Sequence, residues 1–90
     1  MNKEQESTRS CSDELLDDEL RLILLNDDVN TFDYVIDCLM KVCEHTYEQA
    51  ESCAYITHYK GRCSVKSGSF DELQPYHLAL LDCHLLAIIE

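Results

Sequence analysis

The sequence has 90 residues, enough for one small domain with an adequate but not generous core. Its net charge of -11 makes nucleic-acid phosphates and anionic membranes poor partners and favours cationic groups and basic protein surfaces. No basic and apolar leader opens the chain, and no apolar run could span a bilayer. We therefore expect a cytoplasmic protein whose six cysteines are free thiols.

Residues 1–19 differ in composition from the rest of the chain. Seven acids stand there against Lys3 and Arg9, with no aromatic and no β-branched aliphatic side chain. Such a segment buries too little apolar surface to offset its ordering entropy. We predict a flexible acidic extension over residues 1–19 and a folded core over residues 20–90. Composition leaves open whether the extension has a partner or only aids solubility.

The core begins with a predicted strand and a predicted helix. The strand runs from Leu20 to Leu25, and its nearly continuous apolar residues indicate burial on both faces. Asn30 is the expected cap of a helix whose apolar side chains follow helical spacing from Phe32 to Cys43.

Two capping boxes mark the next helices. Thr46–Gln49 opens a helix that Gly61 ends. Ser69–Glu72 opens another that runs towards Cys83, and Pro75 within it predicts a late start or a bend.

Two further strands are predicted at Cys63–Ser67 and Leu85–Ile89. The element order is then β-α-α-β-α-β. This order predicts an α/β (α+β) fold in which three helices cover a small three-stranded antiparallel sheet.

Asn26, Asp27 and Asp28 follow the buried strand directly, where carboxylates need water or a cationic partner. The second helix presents small side chains, including Ala54, on the same face as His58. If that face packs near the strand end, His58 and the acids meet beside a pocket with apolar walls. Such a pocket suits an ammonium group next to a bulky side chain, as in the first residue of a peptide.

These features also have plainer interpretations. An Asn-Asp-Asp segment after a strand is commonly a turn closed by side-chain hydrogen bonds, followed by a helix cap. A lone histidine such as His58 is more often an ordinary surface or core residue than a functional one. The cysteine spacings match no zinc template, and Asn26–Asn30 lacks the glycine and distal glutamate of a calcium loop. No metal and no other cofactor is predicted.

Three segments of the core carry a family resemblance: ILLNDD, FDYVIDCL at helical spacing, and ITHYKGR. Through these segments, residues 20–90 resemble the bacterial ClpS family. This resemblance implies an adaptor without enzymatic activity. Such an adaptor binds the bulky N-terminal residue (Leu, Phe, Tyr or Trp) of N-degron substrates and delivers them to a Clp AAA+ unfoldase.

The resemblance also implies a set of site residues. Asn26, Asp28 and His58 match the contacts to the substrate α-amino group, and Asp27 is the adjacent acid of the same motif. The residues that match the side-chain pocket and its rim are Leu24, Leu25, Asn30, Phe32, Val35, Ala54, Thr57 and Leu85.

The resemblance also implies two regions that act in the delivery of substrates to the unfoldase. Asp71 lies on the surface expected to dock on the unfoldase N-domain, and the acidic extension matches the segment that engages the unfoldase. Tyr76 stands where a basic residue is common on that surface, which leaves the identity of the unfoldase open.

The pocket departs from the family at three positions. Phe32 and Ala54 each stand where methionine is common, and Thr57 where valine is common. Less volume at Ala54 and a ring at Phe32 predict a deeper cavity that prefers Phe, Tyr or Trp to Leu.

Two other classes of protein stay open. A module of the same fold could dock on a partner without binding degrons. A redox or thiol enzyme would use a cysteine with His45, His58, His77 or His84, and would require a nearby base and a lowered thiol pKa.

Overall fold

The computed structural model describes residues 19–90. The extension predicted over residues 1–19 thus lies, except for Glu19, outside the described residues. The helices and strands are, in chain order, β1 (Leu20–Leu25), α1 (Phe32–Val42), α2 (Tyr47–Lys60), β2 (Arg62–Gly68), α3 (Phe70–Asp82) and β3 (Leu86–Ile89). This confirms the predicted β-α-α-β-α-β order. β2 is one residue longer at each end than predicted, and β3 begins one residue later.

β1 is the central strand of one antiparallel sheet with the order β2-β1-β3. Leu25 at its end pairs with Arg62 on one side and Leu86 on the other. The neighbouring strands and the helices cover β1, and Leu22, Ile23 and Leu24 are therefore all buried. The continuous apolar pattern of β1 therefore has the predicted meaning, burial on both faces.

Buried side chains from all six elements form one core. α2 contributes Ala50 and Ala54 to it, and α3 contributes Leu73 and Leu80. On α2 the predicted face of small residues is thus the face that packs inward, with Thr57 buried beside it and His58 exposed at its edge. The core fixes the rotation of α2 and so decides which residues face the end of β1.

The helix caps agree with the sequence at two of three positions. Both capping boxes form, Thr46 with Gln49 and Ser69 with Glu72. The predicted cap of α1 was wrong: Thr31 caps this helix, and its hydroxyl accepts a hydrogen bond from the backbone N–H of Tyr34 at 3.1 Å. Asn30 does not cap this helix; its side-chain amide donates to the Asp27 carboxylate in the loop and to the carbonyl oxygen of His84 between α3 and β3.

The end predicted for α2 is confirmed, whereas the late start predicted for α3 is not. Gly61 ends α2 in the left-handed conformation at φ +93°, as expected for a glycine there. α3 does not start late, since it begins at Phe70 and includes Pro75. Its complete capping box accounts for the early start, because it satisfies first-turn N–H groups. None of the helices in the described part of the chain has the length and apolar character to cross a membrane.

Candidate functional site

The end of β1 is fastened to the end of α2. The backbone N–H of Asn26 donates to the carbonyl oxygen of Gly61, with an N···O distance of 3.0 Å. Gly61 directly follows α2, whose last turn contains His58. The left-handed turn at Gly61 thus brings Asn26 and His58 to the same side of the domain, as the sequence predicted.

Asp27 closes the loop between β1 and α1. One carboxylate oxygen accepts the backbone N–H groups of Val29 and Asn30 at 2.8 and 2.9 Å, and the other accepts the Asn30 amide at 3.1 Å. Partial burial opposes ionisation of this carboxyl, but the hydrogen bonds from Asn30 and Val29 outweigh it and lower the pKa of Asp27. For Asp27, the plainer interpretation as a turn-forming residue is therefore correct.

The same loop and the first turn of α1 are hydrogen-bonded to the turn between α3 and β3. The Asn30 amide donates to the carbonyl oxygen of His84 at 3.0 Å. The Tyr34 hydroxyl donates to the carbonyl oxygen of Cys83 at 2.7 Å. These bonds bring Leu85 against the loop, although neither Tyr34 nor His84 was predicted to take part in building the site.

A small cavity of about 40 Å³ lies between this loop, α2 and the start of β3. Its walls include all the predicted pocket residues and three of the four predicted α-amino contacts. The lining residues are Leu24, Leu25, Asn26, Asp27, Asn30, Phe32, Val35, Ala54, Thr57, His58 and Leu85. Asp28 is exposed in the loop and is not part of the lining. The binding roles of these residues stay predictions.

Phe32 belongs to an aromatic cluster at one side of the cavity. Its ring lies edge to face with Tyr55 and His58, at centroid distances of 5.0 and 5.2 Å. Tyr59 stacks on Tyr55 at 6.0 Å and meets His58 edge-on at 5.0 Å. Sequence reasoning missed Tyr55. Its position three residues before His58 places it on the same side of α2, which was the available signal.

The cavity is smaller than the one that the sequence predicted from Phe32 and Ala54. Its volume of about 40 Å³ has room for a few water molecules rather than a bulky side chain. Two packing features account for this. Ala54 is itself buried in the core, and Tyr55 and His58 hold the Phe32 ring at the cavity wall. With Phe32 in this position the cavity is too small for a bulky side chain.

The predicted docking residue Asp71 lies at a separate groove. It is exposed in the first turn of α3, beside a groove of about 790 Å³ formed by α1, β2 and α3. In this groove the Lys66 ammonium sits 4.6 Å from the centroid of the Tyr76 ring. A cation therefore lies beside Tyr76 although Tyr76 itself is not basic.

Three of the described cysteines do not resemble activated nucleophiles. Cys38, Cys43, Cys53, Cys63 and Cys83 are free thiols. Burial raises the pKa of Cys38 and Cys43 to about 11 and that of Cys53 to about 12. These three thiols are protonated at neutral pH, which opposes the thiol-enzyme hypothesis for them. No three His, Cys, Asp or Glu side chains in residues 19–90 are grouped so as to hold a metal ion.

The fold and the cavity define a small α+β domain with an apolar pocket and an acidic rim. Residues 16–83 match the family described as ATP-dependent Clp protease adaptor protein ClpS, and the chain belongs to this family. The ClpS adapter protein of Thermosynechococcus vestitus is 39% identical over 62 residues, which are 68% of this chain and 66% of that protein. The Synechocystis relative is 36% identical, over 67% of this chain and 62% of its own length. The chain thus spans slightly less than two thirds of these relatives.

A solved structure shares the fold. Agrobacterium tumefaciens ClpS2 bound to L-phenylalaninamide superposes with a TM-score of 0.70, covering 82% of this chain and 96% of that one. The two sequences are 17% identical, so the likeness concerns the fold alone.

Asp27 yields a prediction about stability and pH. Its folded-state pKa lies below the ordinary value of 3.8, so its carboxylate stabilises the fold above that pH and this contribution is lost as the pH falls below about 4. We expect the free energy of unfolding, measured by urea denaturation, to fall more steeply between about pH 5 and 3 in the wild type than in Asp27→Asn. Equal pH dependence would show that a carboxylate serves this turn no better than an amide.

Proposed function

We propose that the chain is a cytoplasmic adaptor that binds proteins through a bulky hydrophobic N-terminal residue and delivers them to a Clp AAA+ unfoldase. It has no catalytic group and no cofactor in this proposal. The observation that carries it is the cavity in which apolar walls meet a rim of Asn26, Asp27 and His58. An apolar wall takes a side chain, and an acidic rim takes the ammonium beside it.

The solved relative supports this ligand class. L-Phenylalaninamide, which is bound to Agrobacterium tumefaciens ClpS2, has a free α-amino group next to an aromatic side chain. The N-terminal residue of a protein presents the same two groups. We carry this ligand over as part of the proposal, together with the preference for Leu, Phe, Tyr or Trp.

The two acids have different roles in the proposed binding mode. Asp27 uses both carboxylate oxygens to close its loop. Asp28 is exposed and has no hydrogen bond or ion pair with another residue of the described chain. Its carboxylate is therefore free to turn towards an ammonium at the rim, beside Asn26 and His58.

The first test concerns this charge. Asp28→Ala, or acetylation of the peptide N-terminus, should weaken binding by about 2 kcal/mol or more, because each removes a charge-assisted hydrogen bond. Fluorescence anisotropy with a peptide that begins with phenylalanine measures it. Glu48→Ala is the matched control, because Glu48 is an exposed acid in the first turn of α2, at the far end from His58.

Two results of this experiment would contradict the proposal. An acetylated peptide that binds as well as the free amine would end the proposal of α-amino recognition. No binding of any free peptide would favour the alternative, a module that docks on a partner without binding degrons.

The second test concerns entry into the cavity. Because Phe32 is held by Tyr55 and His58, each aromatic pair adds roughly 0.5–1.5 kcal/mol to the cost of opening. Tyr55→Ala removes one pair without removing a cavity-lining residue. We expect it to raise the association rate constant of the same peptide by roughly two- to tenfold, measured by stopped-flow fluorescence.

Tyr47→Ala is the control for this experiment, since Tyr47 is also an exposed tyrosine of α2 but has no ring contact with Phe32. Equal association rates for wild type, Tyr55→Ala and Tyr47→Ala would show that the ring of Phe32 does not limit entry.

Delivery is proposed to use other parts of the chain than binding. Asp71 and Lys66 expose charges of opposite sign at the groove between α1, β2 and α3, which supports docking of a polar protein surface there. The acidic extension is proposed to engage the unfoldase, because an acidic segment of low apolar content can be drawn into another protein without unfolding the core.

The third test separates delivery from recognition. Deletion of residues 1–19 should leave peptide affinity unchanged, because no cavity-lining residue is removed. The same deletion should abolish degradation of an N-degron substrate by the Clp unfoldase and peptidase of the same cell. Normal degradation with the truncated chain would show that the extension only aids solubility.

A further inference from the structure

Four of the five described cysteines lie in two pairs. The thiol of Cys38 contacts that of Cys83, and the thiol of Cys53 is hydrogen-bonded to that of Cys63. The pairs differ in exposure, since Cys38 is only 4% exposed whereas both Cys53 and Cys63 are partly exposed. The proposed function uses neither pair, and the second pair is the one that a reagent in solution can reach.

The fold brings Cys53 and Cys63 together. Cys63 on β2 pairs with Leu24 on β1, and residues directly opposite each other project from the same face of a sheet. Because Leu24 belongs to the core, Cys63 also projects from the face that the helices cover. Cys53 packs against this core from α2. The two thiols are therefore neighbours because α2 lies on β2.

This pair is open to solvent on one side. The Cys63 thiol donates to the carbonyl oxygen of Ser64 at 3.5 Å, and this bond is exposed. A groove of about 410 Å³ lies between α2 and β2, and its walls include Cys53 and Ser64. A small molecule can therefore approach the pair without unfolding the domain.

We propose that Cys53 and Cys63 are a modification site, a dithiol that a small-molecule disulfide such as oxidised glutathione converts to a disulfide between α2 and β2. The Cys63 thiolate attacks one sulfur of oxidised glutathione, which forms a mixed disulfide and releases one glutathione thiolate. The Cys53 thiolate then attacks the Cys63 sulfur, closes the new bond and releases the second glutathione. Two protein thiols are oxidised, one glutathione disulfide is reduced, and the two glutathione thiols take up the two protons.

The disulfide would enclose the part of α2 that contributes to the cavity. Ala54, Thr57 and His58 lie between the two cysteines in the chain, as does Gly61, which accepts the backbone N–H of Asn26. Oxidation would therefore constrain the site of the proposed function. The inference itself does not depend on that function, because no step of it involves a peptide.

The reduced pair persists at neutral pH. Burial, and then the hydrogen bond with Cys63, raises the pKa of Cys53 to about 12. Since the thiolate is the attacking form, closure is slow near pH 7 and requires sustained exposure to the oxidant.

The experiment treats the folded full-length protein with oxidised glutathione at mildly alkaline pH and maps disulfides by mass spectrometry of proteolytic fragments. The proteins are the wild type, Cys63→Ser, and Cys83→Ser as the matched control that keeps the proposed pair. We expect the Cys53–Cys63 disulfide to be the first intramolecular disulfide in the wild type and in Cys83→Ser, and to be absent from Cys63→Ser. Earlier closure of Cys38 with Cys83, or mixed disulfides alone, would overturn the proposal.

A comparison with the unfolded chain tests the role of the fold. At equilibrium with glutathione, the ratio of closed to mixed disulfide at Cys63 measures the effective concentration of the Cys53 thiol. We expect this ratio to be roughly tenfold or more higher in the folded protein than in concentrated urea. An equal or lower ratio in the folded protein would show that the native arrangement does not favour closure.

Thermal stability gives an independent readout. Closure should raise the Tm of Cys83→Ser by roughly 5–15 °C in differential scanning calorimetry, because the cross-link lowers the entropy of the unfolded chain. Dithiothreitol should reverse the rise, and glutathione-treated Cys63→Ser should not show it. A Tm that is unchanged or lower after closure would show that the bond distorts the domain, and would overturn the assignment of this pair.

Discussion

The loop between β1 and α1 depends on one carboxylate. Asp27 holds the backbone of Val29 and both the backbone and the amide of Asn30, and Asn30 in turn holds the carbonyl oxygen of His84. Through these bonds the loop is fixed to α3 and β3, while the bond from Asn26 to Gly61 fixes it to α2. The three parts of the chain that line the cavity are separated in sequence, and the loop is where they are joined. An ionised Asp27 accepts these bonds more strongly than a neutral group would.

Much of the fold could be predicted because its signals are local. The capping boxes at Thr46 and Ser69, the glycine after α2 and the apolar run of β1 each act over a few residues, and each has the predicted effect. Asn30 was misassigned because both it and Thr31 are competent caps, and the choice depends on Asp27 and the distant His84 carbonyl. A local pattern contains no information on that competition.

The candidate site follows the same division between local and distant causes. Its composition could be predicted from resemblance, whereas its volume could not, because the position of Phe32 depends on Tyr55 and His58 of another helix. The resemblance separated Asp28, matched to the α-amino contacts, from Asp27, but it did not indicate the three hydrogen bonds with which Asp27 closes the loop.

His58 links the two requirements of the proposed binding mode. Its ring packs against Phe32 and so helps to keep the cavity small, yet it lies at the rim where the ammonium is expected. A ring that turns towards a ligand changes its contact with Phe32, so amine binding and opening of the cavity are coupled through this one side chain. The measured affinity then contains the cost of opening, since binding to a state that is only partly populated is weakened by its population. A ligand with a suitable side chain but no amine lacks the interaction with His58. Only its contact with Phe32 could then offset the cost of opening the cavity. In the proposed binding mode, the acidic rim thus supplies selectivity for a free N-terminus, and the closed aromatic cluster makes that selectivity steeper.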